Sequence, residues 1–272
     1  MWGIGGGGLY LGYGIDTYIY NTVFENNGSV AYSSPGGAFG GALNVENMWR
    51  REYYPMIWII NSRFTKNHVD HFGGNTNTHG GAIHIGAPHV IVNTVIDSNH
   101  AAFSGGNGRG MGGGLFISIQ SQWDQNGNEI LARSYLVNNT IVNNEASSAT
   151  FGDGENGGIY ISYWDQTNGT WFNNIIWGNR ASKNLTSVSL DEHNIHRLGD
   201  NDFKLVVDYN NIEFLDEYDG SFKRENSYNI NPGFVNPASN YKLSDASPLI
   251  GLGKATFDGV NGPTNDLSLI HI

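Results

Sequence analysis

The sequence predicts an all-β solenoid, a single-stranded right-handed parallel β-helix of about six to seven coils. Two recurring motifs and the spacing between them predict it. The first is a glycine-led apolar alternation: Gly6-Gly7-Gly8-Leu9-Tyr10-Leu11, Gly40-Gly41-Ala42-Leu43-Asn44-Val45, Gly80-Gly81-Ala82-Ile83-His84-Ile85, Gly112-Gly113-Gly114-Leu115-Phe116-Ile117 and Asn156-Gly157-Gly158-Ile159-Tyr160-Ile161. The second is Asn, an apolar residue three on, and Asn six on: Asn21/Phe24/Asn27, Asn61/Phe64/Asn67, Asn93/Ile96/Asn99, Asn138/Ile141/Asn144 and Asn173/Ile176/Asn179. From the last Asn of one unit to the next glycine motif the offsets are 13, 13, 13 and 12 residues. From the glycine motif to the first Asn they are 15, 21, 13, 26 and 17. One connection is fixed and the other elastic. A unit of 32 to 45 residues that buries its face only by stacking on its neighbours is a solenoid.

Each element follows from its local pattern. In a strand, alternate residues point to opposite faces. Leu43 and Val45, Ile83 and Ile85, Leu115 and Ile117, and Ile159 and Ile161 should therefore face the core. Tyr10, Asn44, His84, Phe116 and Tyr160 should form a column facing out. The preceding glycines permit a tight corner. In the second motif Phe24, Phe64, Ile96, Ile141 and Ile176 should face in. The flanking Asn residues suit left-handed turns, and their amides can donate and accept along a stacked column. Ser33 to Phe39, Gly73 to Thr78, Ser104 to Met111 and Ser147 to Glu155 read as loops outside the core. The elastic segment carries insertions, Met48 to Tyr54 and Gln120 to Ile130, that should protrude as hairpins or loops on one side. After Asn179 the pattern loosens, with Val188 to Leu190 and Leu205 to Tyr209 as strands and Asn210-Asn211-Ile212 as a worn sixth copy. Pro232, Pro237 and Pro248 end the sheets.

Composition narrows the function. The formal net charge is −11, which argues against nucleic acid or an anionic membrane surface as partner. The chain has no cysteine, so neither disulfides nor thiolate metal sites are available. No stretch is apolar enough to span a membrane as a helix. Met1-Trp2-Gly3-Ile4-Gly5 has neither the charge nor the apolar run of a signal peptide, and it enters a glycine motif without a cap. The expectation is that the helix, residues 1–253, lacks its natural start.

The GGA-(I/L) and FxxN-type repeats resemble those of polymorphic outer membrane proteins and of bacterial parallel β-helix proteins of the pectin-lyase-like fold. The stretch Asn229 to Gly253 resembles the ending of exported members, a "DP-x-F-V-N-P … Y-x-L … S-P-x-I-x-x-G" string in which Asn231 replaces the usual Asp. The resemblance covers roughly residues 6–253. It implies an extracellular or cell-surface protein. Residues 254–266 then form a C-terminal extension. Leu267 to Ile272, LSLIHI, resemble the translation of a sequencing-adaptor end and are expected to be non-native. The fold hosts enzymes, adhesins and passive stalks alike.

Polysaccharide lyases of this resemblance carry clustered calcium-binding Asp residues with an Arg base, and the hydrolases carry paired Asp residues with Gly-His-Gly and Arg-x-Lys. Neither set of strings is present. The nearest approach is His79-Gly80-Gly81 with Asp70-His71 and an outward Arg63, and no catalytic residue is assigned. The acidic groups Asp153/Glu155, Asp200/Asp202 and Asp216/Glu217/Asp219 would have to supply a calcium ion's six to eight oxygens. They read better as solvated loops. Gly105 to Gly110 lacks the Asp of a calcium-binding nonapeptide, and His193 and His196 lack a third ligand for zinc. No resident metal or cofactor is therefore expected, calcium being the one candidate. The binding site expected is the outward column Tyr10, Asn44, His84, Phe116, Tyr160, about 20 Å long at one rung per 4.8 Å. Trp49, Trp123 and Trp164 would wall it. The function expected is a non-catalytic, exported or surface-attached module that contacts a polysaccharide or a host or cell surface, as a monomer. A fragment of a polysaccharide lyase or glycoside hydrolase is the alternative.

Overall fold

A computed structural model describes residues 4–12, 14–32, 36–46, 55–73, 76–105, 108–119, 122–123, 126–127, 129–130, 132–148, 154, 156–162, 167–181, 205–213 and 226–254. Among these residues there is no helix, and the chain winds through five parallel sheets. One circuit illustrates the path. Thr78–His79 lies in the first sheet, Ile83–Ile85 in the second, His89–Val92 in the third, Val95–Asp97 in the fourth and His100–Phe103 in the fifth. Four circuits carry all five strands among the described residues, and the third and fourth sheets continue to six strands. The architecture is the expected parallel β-solenoid, slightly shorter in full circuits than the six to seven coils anticipated.

The glycine corner explains the first turn. Gly80 has a φ of 70°, and a side chain there would collide with the carbonyl of Ile83. Asn156, at the equivalent place, takes the same left-handed geometry at φ 64°. Beyond the corner the inward column is buried as predicted: Leu43, Ile83, Leu115 and Ile159 are each 0% exposed. They pair in register across the second sheet. Phe64, Ile96, Ile141 and Ile176 close the same core from the fourth sheet. The third sheet adds Ile57, Ile59, Ile91, Leu136 and Trp171. A polar chain crosses this wall. The Trp171 indole N–H donates to the Ser134 hydroxyl (3.0 Å), which donates to Nε2 of His89 (2.9 Å), whose Nδ1–H meets the Ala87 carbonyl (2.9 Å).

Two amide ladders fix the turns on either side of the fourth sheet. Asn21, Asn61, Asn93, Asn138 and Asn173 all have φ between 50° and 55°, as their turn role requires. Past the fourth sheet, Asn27, Asn67, Asn99, Asn144 and Asn179 bond one to the next, each Nδ2 donating to the following Oδ1 at 2.8 or 2.9 Å. A second ladder, not anticipated, runs Ser62, Thr94, Asn139, Asn174, Asn210, each backbone N–H donating to the next side chain.

The structure corrects the reading of the loops. The segments read as external loops end in strands: Ala38–Phe39, Thr78–His79 and Gly110–Met111 form the first sheet with Ile4–Gly5. Ala38 is buried against Ala31, Val69 and Ala101. Ser147 belongs to the fifth-sheet strand Glu145–Ser148. Two-residue strands are too short to leave an alternation in the sequence. The insertion at Gln120 to Ile130 does contain an antiparallel ladder, Gln122–Trp123 against Glu129–Ile130, at the expected place between the second and third sheets. Met48 to Tyr54 lies outside the described residues, as does Val188 to Leu190.

The C-terminal stretch stops the stack and then returns along it. Phe234–Asn236 and Asn240–Leu243 form an antiparallel pair. Pro237 accepts from the Asn143 amide (2.8 Å), and the Tyr241 hydroxyl reaches Asp97 (3.4 Å). Lys254 and Asn173 exchange two bonds of 2.8 Å. Leu243, Leu249 and Leu252 pack near Ile175. This covering explains why Val142 and Ile175, which point away from the core, are almost fully buried.

Candidate functional site

The predicted column forms in full: Tyr10, Asn44, His84, Phe116 and Tyr160 are successive partners across the second sheet. It does not form an open strip. Tyr10 is 48% exposed, but Asn44, His84, Phe116 and Tyr160 are at most 9% exposed. The glycine corner brings the first sheet's Phe39, His79 and Met111 against the column. His79 stacks on Phe116 at 4.2 Å, Phe39 lies 5.1 Å from His84, and Phe116 stacks on Tyr160 at 4.8 Å. Trp49 and Trp164 lie outside the described residues, and of Trp123 only the backbone is described.

Inside this corner His84 is held at both nitrogens. Asn44 Oδ1 stands 2.7 Å from Nδ1 and can only accept, so Nδ1 carries the proton; Nε2 then accepts from the Ser118 hydroxyl at 3.1 Å. Burial, with the neighbouring His79 adding to it, pushes the His84 pKa down to about 3. His79 falls to about 3 by burial as well, and its Nδ1 has no partner among the described residues. A neutral histidine of such low basicity is a poor general base. The corner therefore works as an aromatic and amide stack that ties circuits together.

The expected outward Arg63 is found on the fourth sheet, on the face opposite Phe64. It makes two bonds to Asp97, at 3.0 and 3.1 Å. Asp97 also accepts from Thr65 (3.0 Å), Ser98 (3.4 Å) and Tyr241 (3.4 Å). The bond to Asp97 is the main cause that raises the Arg63 pKa. Most of these donors converge on Oδ2, while Oδ1 takes only Arg63 Nε, and the Tyr241 bond ties the C-terminal hairpin to the stack. His71 points inward and stacks on Phe103 at 5.4 Å.

The outer face of the fifth sheet is different in kind. It carries His68 and Asp70, then His100, then Glu145 and Ser147, on three adjacent strands. The His68 ring lies over Gly28, in the space a side chain there would fill. His100 Nε2 and the Ser147 hydroxyl are 2.6 Å apart. Asp70 is half-buried, and no donor bonds its carboxylate among the described residues. Burial raises its pKa, with His100 and His68 opposing. Two residues beyond Asp70 and its partner Val30, Phe72 and Tyr32 stack at 5.2 Å and 13° while remaining 48% and 72% exposed. Sequence reading missed this face. Its signal was present: these residues stand one, three and five places after each ladder Asn. Ser147, His100 and Asp70 do not make a nucleophilic triad, because Asp70 makes no bond to His100.

A further aromatic patch lies on the outer face of the third sheet. Tyr18 stacks with Tyr20 at 6.1 Å and with Trp58 at 5.9 Å. Ile60, Val90, Val92, Tyr135, Val137 and Phe172 form an apolar cluster on that face, with Thr170 and Asp208 in register beside Tyr135 and Phe172. Among the described residues no group of three His, Asp or Glu is arranged to hold a metal ion. The acidic groups Asp200/Asp202 and Asp216/Glu217/Asp219, with His193 and His196 and both members of Asp153/Glu155, lie outside them.

The chain matches no family model, no curated protein and no solved structure. Its function is therefore argued from its own surfaces.

Proposed function

We propose that this chain is part of an exported or cell-surface protein and contacts a polysaccharide or another surface without cleaving it. In this reading the solenoid is a right-handed β-helix of pectin-lyase-like type, with repeats like those of polymorphic outer membrane proteins. The observation that carries the reading is the set of aromatic rings left open on outward positions: Tyr10, Tyr18, Tyr20, Tyr32 and Phe72 are each at least 48% exposed. Exposed aromatic clusters mark contact surfaces, and a stack of parallel strands repeats weak contacts along an extended polymer. The net charge of −11 weighs against nucleic acid. The alternative is a fragment of a lyase or hydrolase; against it, the one Arg–Asp pair among the described residues, Arg63 with Asp97, is tied into the bonds that hold the C-terminal hairpin.

The test is a panel of soluble polysaccharides incubated with the purified chain, with and without calcium. Binding should be detected by affinity electrophoresis without unsaturated or reducing-end product. Reproducible product formation would overturn the reading in favour of the enzyme.

A further inference from the structure

We propose that the outer face of the fifth sheet, formed by Tyr32, Phe72, Asp70, His68, His100 and Ser147, is a binding site for a neutral, hydroxyl-rich polysaccharide. This rests on the surface-contact reading above and names both its site and its ligand class.

Three independent features converge there. The first is the aromatic pair. Tyr32 and Phe72 are parallel to within 13° and 72% and 48% exposed, so part of their apolar surface is open to the C–H face of a sugar ring. The second is Asp70. It lies on the same face, two residues before Phe72, with no donor among the described residues, so its carboxylate is open to donors from a ligand. Vicinal sugar hydroxyls are donors of the right kind, and a carboxylate can accept from two at once. The third is the polar row beyond it. His68 lies in the slot left by Gly28, and the His100–Ser147 pair presents a ring nitrogen and a hydroxyl on the next strands. The face spans four circuits, about 14 Å at the spacing of parallel strands, which is room for a short oligosaccharide.

The net charge of the chain selects within carbohydrates. On the face itself Asp70 and the exposed Glu145 stand with Arg180, the register partner of Glu145, but the chain as a whole carries −11. Uronate and sulfated polymers are repelled by such a field; neutral polymers are not. The patch at Tyr18, Tyr20 and Trp58 differs, because the side chains packed beside it are mostly apolar. It suits packing against protein.

The experiment is affinity electrophoresis of the full chain in gels containing mixed-linkage β-glucan, xyloglucan or galactomannan, and in gels containing polygalacturonate or alginate. The variants are Tyr32→Ala/Phe72→Ala, Asp70→Asn, and Tyr18→Ala/Trp58→Ala as control, each checked for fold by circular dichroism. Retardation is expected in a neutral gel and not in the polyanions. Affinity should fall about tenfold or more in the first two variants and stay unchanged in the control. If a neutral glycan binds but only the control variant weakens it, the site is wrong and the surface-contact reading stands. Preference for the polyanions would overturn the ligand class. Retardation in no gel would sink both the site and the reading it rests on.

Discussion

Acid should unfold this protein through its buried histidines, chiefly His84 and His89, which are more enclosed than His79. His84 and His89 are neutral in the fold, with pKa values lowered by burial from 6.5 to about 3 and about 4. The unfolded chain therefore binds more protons than the folded chain between those values and 6.5. Stability is fully present above the unfolded pKa and is lost as pH falls toward the folded one. At pH 5 an unfolded imidazole is almost wholly protonated and a folded one almost wholly neutral. Each residue then costs about 2 kcal/mol relative to pH 7, and the pair about 4 kcal/mol, a large part of a typical stability of roughly 5–15 kcal/mol. Urea unfolding at pH 7, 6 and 5 measures the loss, and the slope counts the protons taken up. Imidazole proton shifts read each residue directly and should show both rings neutral at pH 5. A urea midpoint that stays flat from pH 7 to 5, or either ring titrating near 6.5 in the folded protein, would refute the reasoning.

Other perturbations have expected sizes. Asn144→Ala removes the acceptor for Asn99 and the donor to Asn179 and Ile96, and should cost about 3 kcal/mol by urea unfolding, since buried partners are left unpaired. Ile83→Ala and Ile96→Ala, at wholly buried positions, should each cost about 2–5 kcal/mol. Phe116→Ser and Tyr160→Ser should cost more than the loss of exposed cross-strand pairs, about 3 kcal/mol each, because both rings are buried; unchanged thermal midpoints would contradict that burial. Tyr241→Phe should lower stability by about 1 kcal/mol by releasing Asp97 and Asn143.

The sequence carried the repeat and most of the core. The glycine motif fixes which of Ile83, His84 and Ile85 face inward, because alternation and a left-handed corner are local properties. The Asn motif likewise announces its turns. The burial of Asn44, His84, Phe116 and Tyr160 was not legible. It depends on the angle between two sheets, which arises only when Phe39, His79 and Met111 are folded across the corner. The first sheet escaped notice because a two-residue strand has no period. The fifth-sheet face was missed for another reason. His68, Asp70 and Ser147 are ordinary residues in their local strings, and only the ladder Asn before each strand sets them in register.

The returning tail changes how the stack comes apart. In a solenoid each level touches only its neighbours, so unfolding can peel from either end, one level at a time. Here the tail bonds Asp97, Asn143 and Asn173, which belong to three successive levels. It acts as a staple along the outside, and those levels must be released together. Hydrogen exchange should therefore be graded through the circuits of Leu9 and Leu43 and abrupt through those of Ile96, Ile141 and Ile176. Pulled from its two ends, the molecule should yield first on the unstapled side, in small steps, and then give way in one large one.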